Sequence, residues 1–198
     1  RFKHRPIWNG QAQLGKNQDK TIIEQSCETV LNSGLLNEDF RPAYESLCRD
    51  LNELVKQQYQ PTMSDTLRIH GDCHVGNLLW RDEQLYVVDF DDCVQGPAMQ
   101  DIWMLLSGQR EEQLQQLEAI RKGYEIFQPF PYHQLKWIEC LRTIRLIKHT
   151  AWVVERWTDP AFPIAFPWFT GVRYWSEHVL SLREQLAALQ EEPLYIPN

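Results

Sequence analysis

Apolar residues change their spacing several times along the chain, and each change marks an element. Ile22, Ile23, Cys27, Val30 and Leu31 follow a helical period that Gly34 can end. Phe40, Tyr44, Leu47, Leu51 and Leu54 recur at intervals of three and four, the stripe of an amphipathic helix. Both stripes are expected to pack on a helical core. After Leu67 and Ile69 the runs shorten: Leu78-Leu79-Trp80 and Leu85-Tyr86-Val87-Val88 are apolar, partly β-branched and separated by Arg81-Asp82-Glu83, which predicts a small β-hairpin. From Pro97 the pattern is helical again. Pro97 suits a first helical position, Ile102, Trp103, Leu105 and Leu106 form an apolar face, and Gly108 suits its stop. Longer helices are expected over residues 110–127, 132–157 and 172–190. Between the last two, Pro160, Pro163 and Pro167 stand among aromatic residues and predict an ordered aromatic loop without regular helix.

This pattern leaves one polar island between apolar runs, Ile69-His70-Gly71-Asp72-Cys73-His74-Val75-Gly76-Asn77, and the predicted hairpin leads from it to Val88-Asp89-Phe90-Asp91-Asp92. The hairpin would return Asp89 to the loop, so Asp72, Asn77 and Asp89 are expected to converge. Moving a phosphoryl group requires a carboxylate to orient or deprotonate the acceptor and hard oxygen ligands to hold Mg²⁺ on the nucleotide phosphates. These three residues supply both kinds of group. A zinc hydrolase site built on His70, Asp72 and His74 is the competing reading, but it lacks evident downstream His ligands and leaves Asn77 unexplained. Asp91 and Asp92 read either as a further metal-side carboxylate or as a solvated capping pair.

Composition narrows the function classes. With 198 residues, 43% hydrophobic and 24% charged, the chain can bury a core as one compact domain or two small ones. A net charge of -7 and a pI near 5.4 argue against broad nucleic-acid binding while leaving room for a local phosphate site. No apolar run approaches the roughly 20 residues needed to cross a bilayer, and no charged-then-apolar signal segment opens the chain, so a cytoplasmic protein without a membrane partner is expected. The five cysteines, Cys27, Cys48, Cys73, Cys93 and Cys140, are odd in number and lack paired metal-ligand spacing, which predicts reduced thiols. Arg142, Arg145, Lys148 and His149 concentrate positive charge on one helical region, either a solvated face or one turned to an acidic substrate or a phosphate. The aromatic residues of 157–175 read as packing, with an acceptor groove as the alternative.

His70-Gly71-Asp72, His74 and Asn77 meet every fixed position of the form H-G-D-x-H-x-x-N. On those residues the chain resembles the aminoglycoside phosphotransferase and choline kinase family, relatives of protein kinases. The resemblance implies a mainly helical C-terminal lobe of the protein-kinase-like fold over residues 1–198, with a small β-hairpin beside the active site. It assigns Asp72 as catalytic base, Asn77 and Asp89 as Mg²⁺ ligands, and Asp101 as a support for the loop backbone. It sets His74 near the transferred phosphate, while His70 braces the loop. One branch of the family, bacterial Ser/Thr protein kinases of the cytoplasm that help cells survive stress, is matched at Arg5-Pro6, residues 70–77, 96–106 and 157–175. That match implies ATP as donor and a protein Ser or Thr hydroxyl as acceptor; a monomer is expected. In the family a nucleotide-binding lobe with a glycine-rich loop and a strand Lys comes first. The 71 residues before Asp72 read as loop and helices, so that lobe is expected to be absent from residues 1–198. Two other readings stay open: a kinase for a small-molecule hydroxyl, as in choline, homoserine or aminoglycoside relatives, and a non-catalytic fragment that folds or binds partners without turning over ATP.

Overall fold

A computed structural model describes residues 20–197, so Arg5-Pro6 and the rest of the opening segment lie outside the described residues. The fold is mostly helical with two small antiparallel sheets. In chain order the elements are α1 (Ile22–Leu31), α2 (Arg41–Gln58), β1 (Thr66–Ile69), β2 (Leu78–Arg81), β3 (Gln84–Val87), β4 (Val94–Pro97), α3 (Met99–Trp103), α4 (Arg110–Tyr124), α5 (Ile138–Glu155), α6 (Ala161–Ala165) and α7 (Val172–Ala188). They fall into two compact units. One holds residues 61–138 with 192–197, the other residues 20–60 with 139–191. None of the described helices is long and apolar enough to cross a membrane.

The second unit is helical. Thr21 starts α1 with a capping box: its hydroxyl accepts from the Glu24 N–H at 3.1 Å, and the Glu24 carboxylate accepts from the Thr21 N–H at 2.6 Å. Of the expected stripe, Tyr44, Leu47 and Leu51 are buried on α2, Leu54 is half-buried with Val55 enclosed beside it, and Phe40 stands just before the helix. Trp175 of α7 is wholly buried, meets the Tyr44 ring edge-on at 6.0 Å, and donates from Nε1 to the Leu35 carbonyl at 3.1 Å. His178, one helical turn further, stacks on Tyr174 and lies 3.3 Å from the Thr150 hydroxyl.

Two expectations for this unit need correction. Cys27 and Cys48 are joined in a disulfide that ties α1 to α2, with Cα atoms 6.4 Å apart. Both lie on the buried stripes of their helices, and packing those stripes together is what brings the sulfurs into range. Cys73, Cys93 and Cys140 are the free thiols. Within the aromatic stretch, residues 161–165 form the short helix α6 despite Pro163. Pro160 caps it and Pro163 sits in its first turn, where a backbone N–H has no intrahelical acceptor to lose. The surrounding rings pack as expected: Phe169 is wholly buried among Trp157, Tyr174 and Trp175.

The first unit carries both sheets. β2 and β3 form the predicted hairpin, with Leu79 opposite Tyr86 and Trp80 opposite Leu85. Asp82 and Glu83 make its two-residue turn, both at positive φ, as a type I′ connection requires. A sheet not anticipated from the sequence pairs β1 with β4, running from Thr66 opposite Pro97 to Ile69 opposite Val94. Pro97 therefore ends a strand rather than opening a helix, which suits a residue that cannot donate to a ladder. The helix expected over 132–157 is divided: a 3-10 helix at Tyr132–Trp137 precedes α5. Gln134 in that segment is buried and bridges two strands' ends, accepting from the Met99 N–H at 3.2 Å and donating to the Asp65 carbonyl at 2.9 Å.

Candidate active site

The loop between β1 and β2 is anchored at its first two residues. The backbone N–H groups of His70 and Gly71 both donate to the Asp101 carboxylate of α3, at 2.7 and 2.9 Å. Burial pushes the Asp101 carboxyl above its ordinary range, while the two N–H groups act against that shift. This is the supporting position expected of Asp101. Gln100 reinforces it, donating to the Gly71 carbonyl at 3.3 Å.

Gly71 is the hinge of the loop. Its φ is +86°, and a Cβ there would lie 2.3 Å from the Asp92 carbonyl oxygen. Backbone conformation and backbone packing both demand glycine. The result brings the turn after Asp89 directly against the start of the loop between β1 and β2.

His70 fastens the same two segments through its ring. The Asp72 N–H donates to Nδ1 at 3.3 Å, so Nδ1 is the acceptor and Nε2 carries the proton that is donated to the Val88 carbonyl at 2.8 Å. A buried imidazole thus links Asp72 to the residue preceding Asp89. Asn77 adds a second link. Its Nδ2 donates to the Asp72 carbonyl at 2.9 Å, and its own carbonyl accepts from the Val88 N–H at 3.0 Å. Asp72, Asn77 and the Val88–Asp89 junction are therefore one hydrogen-bonded assembly. Asp89 itself stands in the left-handed region at φ 62°, a conformation aspartate tolerates better than most residues.

Within this assembly Asp72 Oδ1 is enclosed, and the side chain as a whole is only 20% exposed. Oδ2 faces His74, whose Nε2 lies 3.7 Å away. Asp91 and Asp92 are exposed in the turn that follows Asp89. Cys73 is half-buried, and burial together with the negative charge of Asp101 and Asp72 raises its thiol above the ordinary value, the opposite of an activated cysteine. Arg142 of the basic helical region is engaged with Glu139 at 2.7 Å.

A divalent cation here would find Asn77 and Asp89 as its protein donors. With Nδ2 committed to the loop, Oδ1 of Asn77 is the atom left for a hard cation. Among the described residues no group of three or more His, Cys, Asp or Glu side chains is placed to hold a metal. The donor set fits Mg²⁺, which is commonly held by one or two carboxylates and completes its shell with substrate phosphates and water.

Sequence reasoning singled out Asp72, Asn77, Asp89, His74, His70 and Asp101, but assigned nothing to Gln100 or Gln134 and gave Gly71 and Gly76 no structural role. A polar residue inside the apolar run Met99 to Leu106 was the available signal for Gln100. Nothing local marks Gln134, whose partners lie 35 and 69 residues away.

Comparison with known proteins identifies the family. The model of the phosphotransferase enzyme family matches residues 30–138, the segment that contains the whole loop-and-hairpin assembly. Stress response kinase A of Escherichia coli K12 is 51% identical over 199 residues, spanning 98% of this chain and 56% of that protein. A serine/threonine protein kinase RdoA of Salmonella typhimurium is 50% identical over 131 residues, 66% of this chain and 40% of its own. The chain thus spans about half the length of the relatives it matches. Among solved structures, spectinomycin phosphotransferase in complex with ADP and spectinomycin aligns with 89% of this chain and 51% of its own, at 17% identity and a TM-score of 0.49. By the extent of the family match and the identity to its relatives, the chain belongs to the phosphotransferase enzyme family.

Proposed function

We propose that this chain is the catalytic part of an ATP-dependent Ser/Thr protein kinase of the stress-response type. The observation that carries the proposal is the single assembly of Asp72, Asn77 and the Asp89 junction, clamped by His70 and Asp101. Kinase chemistry asks mainly for positioning and electrostatics, and a loop fixed by backbone hydrogen bonds supplies positioning. Asp72 orients the acceptor hydroxyl and receives its proton as the γ-phosphoryl group of ATP moves to that oxygen. Asn77 and Asp89 hold Mg²⁺, which when bound neutralises charge on the nucleotide phosphates. His74 borders the same path, within reach of the transferring group. The protein acceptor is favoured over a small alcohol by the 50% identity over 131 residues to a relative named as a serine/threonine protein kinase.

Two measurements test this reading. Calorimetry of ATP with and without Mg²⁺, on residues 1–198 and on the complete natural protein, should show magnesium-dependent binding in the complete protein. Binding by neither would remove the kinase reading. In the complete protein, Asp72→Ala and Asp89→Ala should each abolish transfer of labelled phosphate from ATP to protein serine or threonine. Turnover retained by either variant would remove that residue's assignment, and label appearing in small alcohols but not in protein would replace the acceptor class.

A further inference from the structure

Gly76 controls which nitrogen of His74 faces the catalytic carboxylate. The Gly76 N–H donates to His74 Nδ1 at 3.0 Å. A backbone N–H can only donate, so Nδ1 is the acceptor and the ring proton is on Nε2. That nitrogen lies 3.7 Å from Asp72 Oδ2, longer than a hydrogen bond, and Oδ1 of the same carboxylate is enclosed. Glycine at 76 is what lets the ring lie over that residue and take this bond: a Cβ there would stand 2.7 Å from Cε1 and 2.9 Å from Nδ1. The loop thus sets Oδ2 of Asp72 and an N–H donor of His74 side by side.

The gap between them suits one oxygen atom. An oxygen about 2.8 Å from each group fits across 3.7 Å, donating its proton to Oδ2 and accepting from Nε2–H. We propose that His74, held in its Nε2–H form by Gly76, positions the acceptor hydroxyl by hydrogen-bonding its oxygen while Asp72 Oδ2 takes its proton. The proposal rests on the phosphotransfer reading above and adds a substrate contact to it. In the step, the acceptor O–H bond breaks with its proton passing to Oδ2, and the acceptor oxygen bonds to the γ-phosphorus. The bond from that phosphorus to the bridging oxygen breaks, and its electron pair leaves on ADP. His74 gains and loses no proton.

The ring form is measurable without activity. Nitrogen-15 spectra of the histidine-labelled protein should show His74 with Nδ1 unprotonated and Nε2 protonated, and Gly76→Ala should disturb those signals. A resting Nδ1–H form would overturn the proposal. The contact is read by kinetics in the complete natural protein, with dephosphorylated casein as acceptor. His74→Ala should raise the KM for casein or lower kcat by about tenfold, the scale of one hydrogen bond, with the KM for ATP unchanged. His74→Gln, which keeps an N–H near the position of Nε2, should recover most of that loss, and Gly76→Ala should resemble His74→Ala. If Asp72→Ala is inactive while His74→Ala matches the parent protein toward casein, the acceptor contact is wrong and the kinase reading stands. If the parent protein transfers phosphate to no protein, the reading beneath the proposal fails instead.

Discussion

In the helical unit the residues that hold the structure are wholly enclosed rings and aliphatic chains, with Tyr44, Phe169 and Trp175 at its centre. Around Asp72 the holding residues are Asp101, His70 and Asn77, and each works through hydrogen bonds to loop backbone. Apolar packing is non-directional and contributes in proportion to the area removed from water, whereas a hydrogen-bonded clamp contributes little net stability but fixes direction. The contrast teaches where each kind of damage should appear. Substitutions in the helical unit should first lower stability, and substitutions around the loop should first lower turnover.

The largest stability effect should come from Trp175→Ala, which empties a fully buried ring site and removes the bond to Leu35. A loss of about 3–5 kcal/mol is expected in urea unfolding. A loss below about 1 kcal/mol would deny Trp175 its central place.

Acid should weaken the same unit by a comparable amount. Burial, with a contribution from His149, pushes His178 down to about 4 from its ordinary 6.5. Between those values the unfolded chain binds the proton and the folded chain does not. Stability is therefore fully present above about pH 6.5 and is lost as pH falls toward about 4, by about 3 kcal/mol in all. His178→Gln should flatten that stretch of the stability curve, and an unchanged slope would exclude His178 as its source.

Reducing the disulfide between Cys27 and Cys48 should cost less, about 2–3 kcal/mol, because the positions it links are only 21 residues apart. Melting with and without a thiol reductant checks this, with the Cys27→Ser, Cys48→Ser double variant insensitive to the reagent. Smallest in stability and largest in activity should be Gly71→Ala. Its added Cβ meets the Asp92 carbonyl at positive φ and should cost about 1–3 kcal/mol while displacing Asp72 enough to abolish transfer. An active, stable Gly71→Ala protein would break the comparison outright.

What could be read from the sequence follows from how local each feature is. The stripes of α1 and α2 and the β2–β3 hairpin depend on spacing within a few residues, and their periodicity identifies them. The β1–β4 pair joins Thr66 to Pro97 across a long connection, and a strand containing Gly96-Pro97 carries no strand signal of its own. The disulfide escaped because an odd cysteine count has no preferred pairing, and only the packing of two helix faces selects one. At the site, Asp72, Asn77 and Asp89 stand out because their residue types and intervals are chemical requirements. The roles of Gly71 and of the His70 ring are consequences of folding, since each is defined by a partner on a different segment.

The β2–β3 hairpin has a consequence for how the molecule can be watched. Trp80 is 73% exposed, in sharp contrast to the buried Trp137 and Trp175, and it lies three residues beyond Asn77. Its indole should emit at longer wavelength than those of the enclosed tryptophans and be reached first by an aqueous quencher such as iodide. Trp152 and Trp168 are exposed too, at 39% and 48%, so the part of the red-shifted, quencher-accessible emission that is lost in Trp80→Phe is the part that reports on the surroundings of the loop, without any added dye.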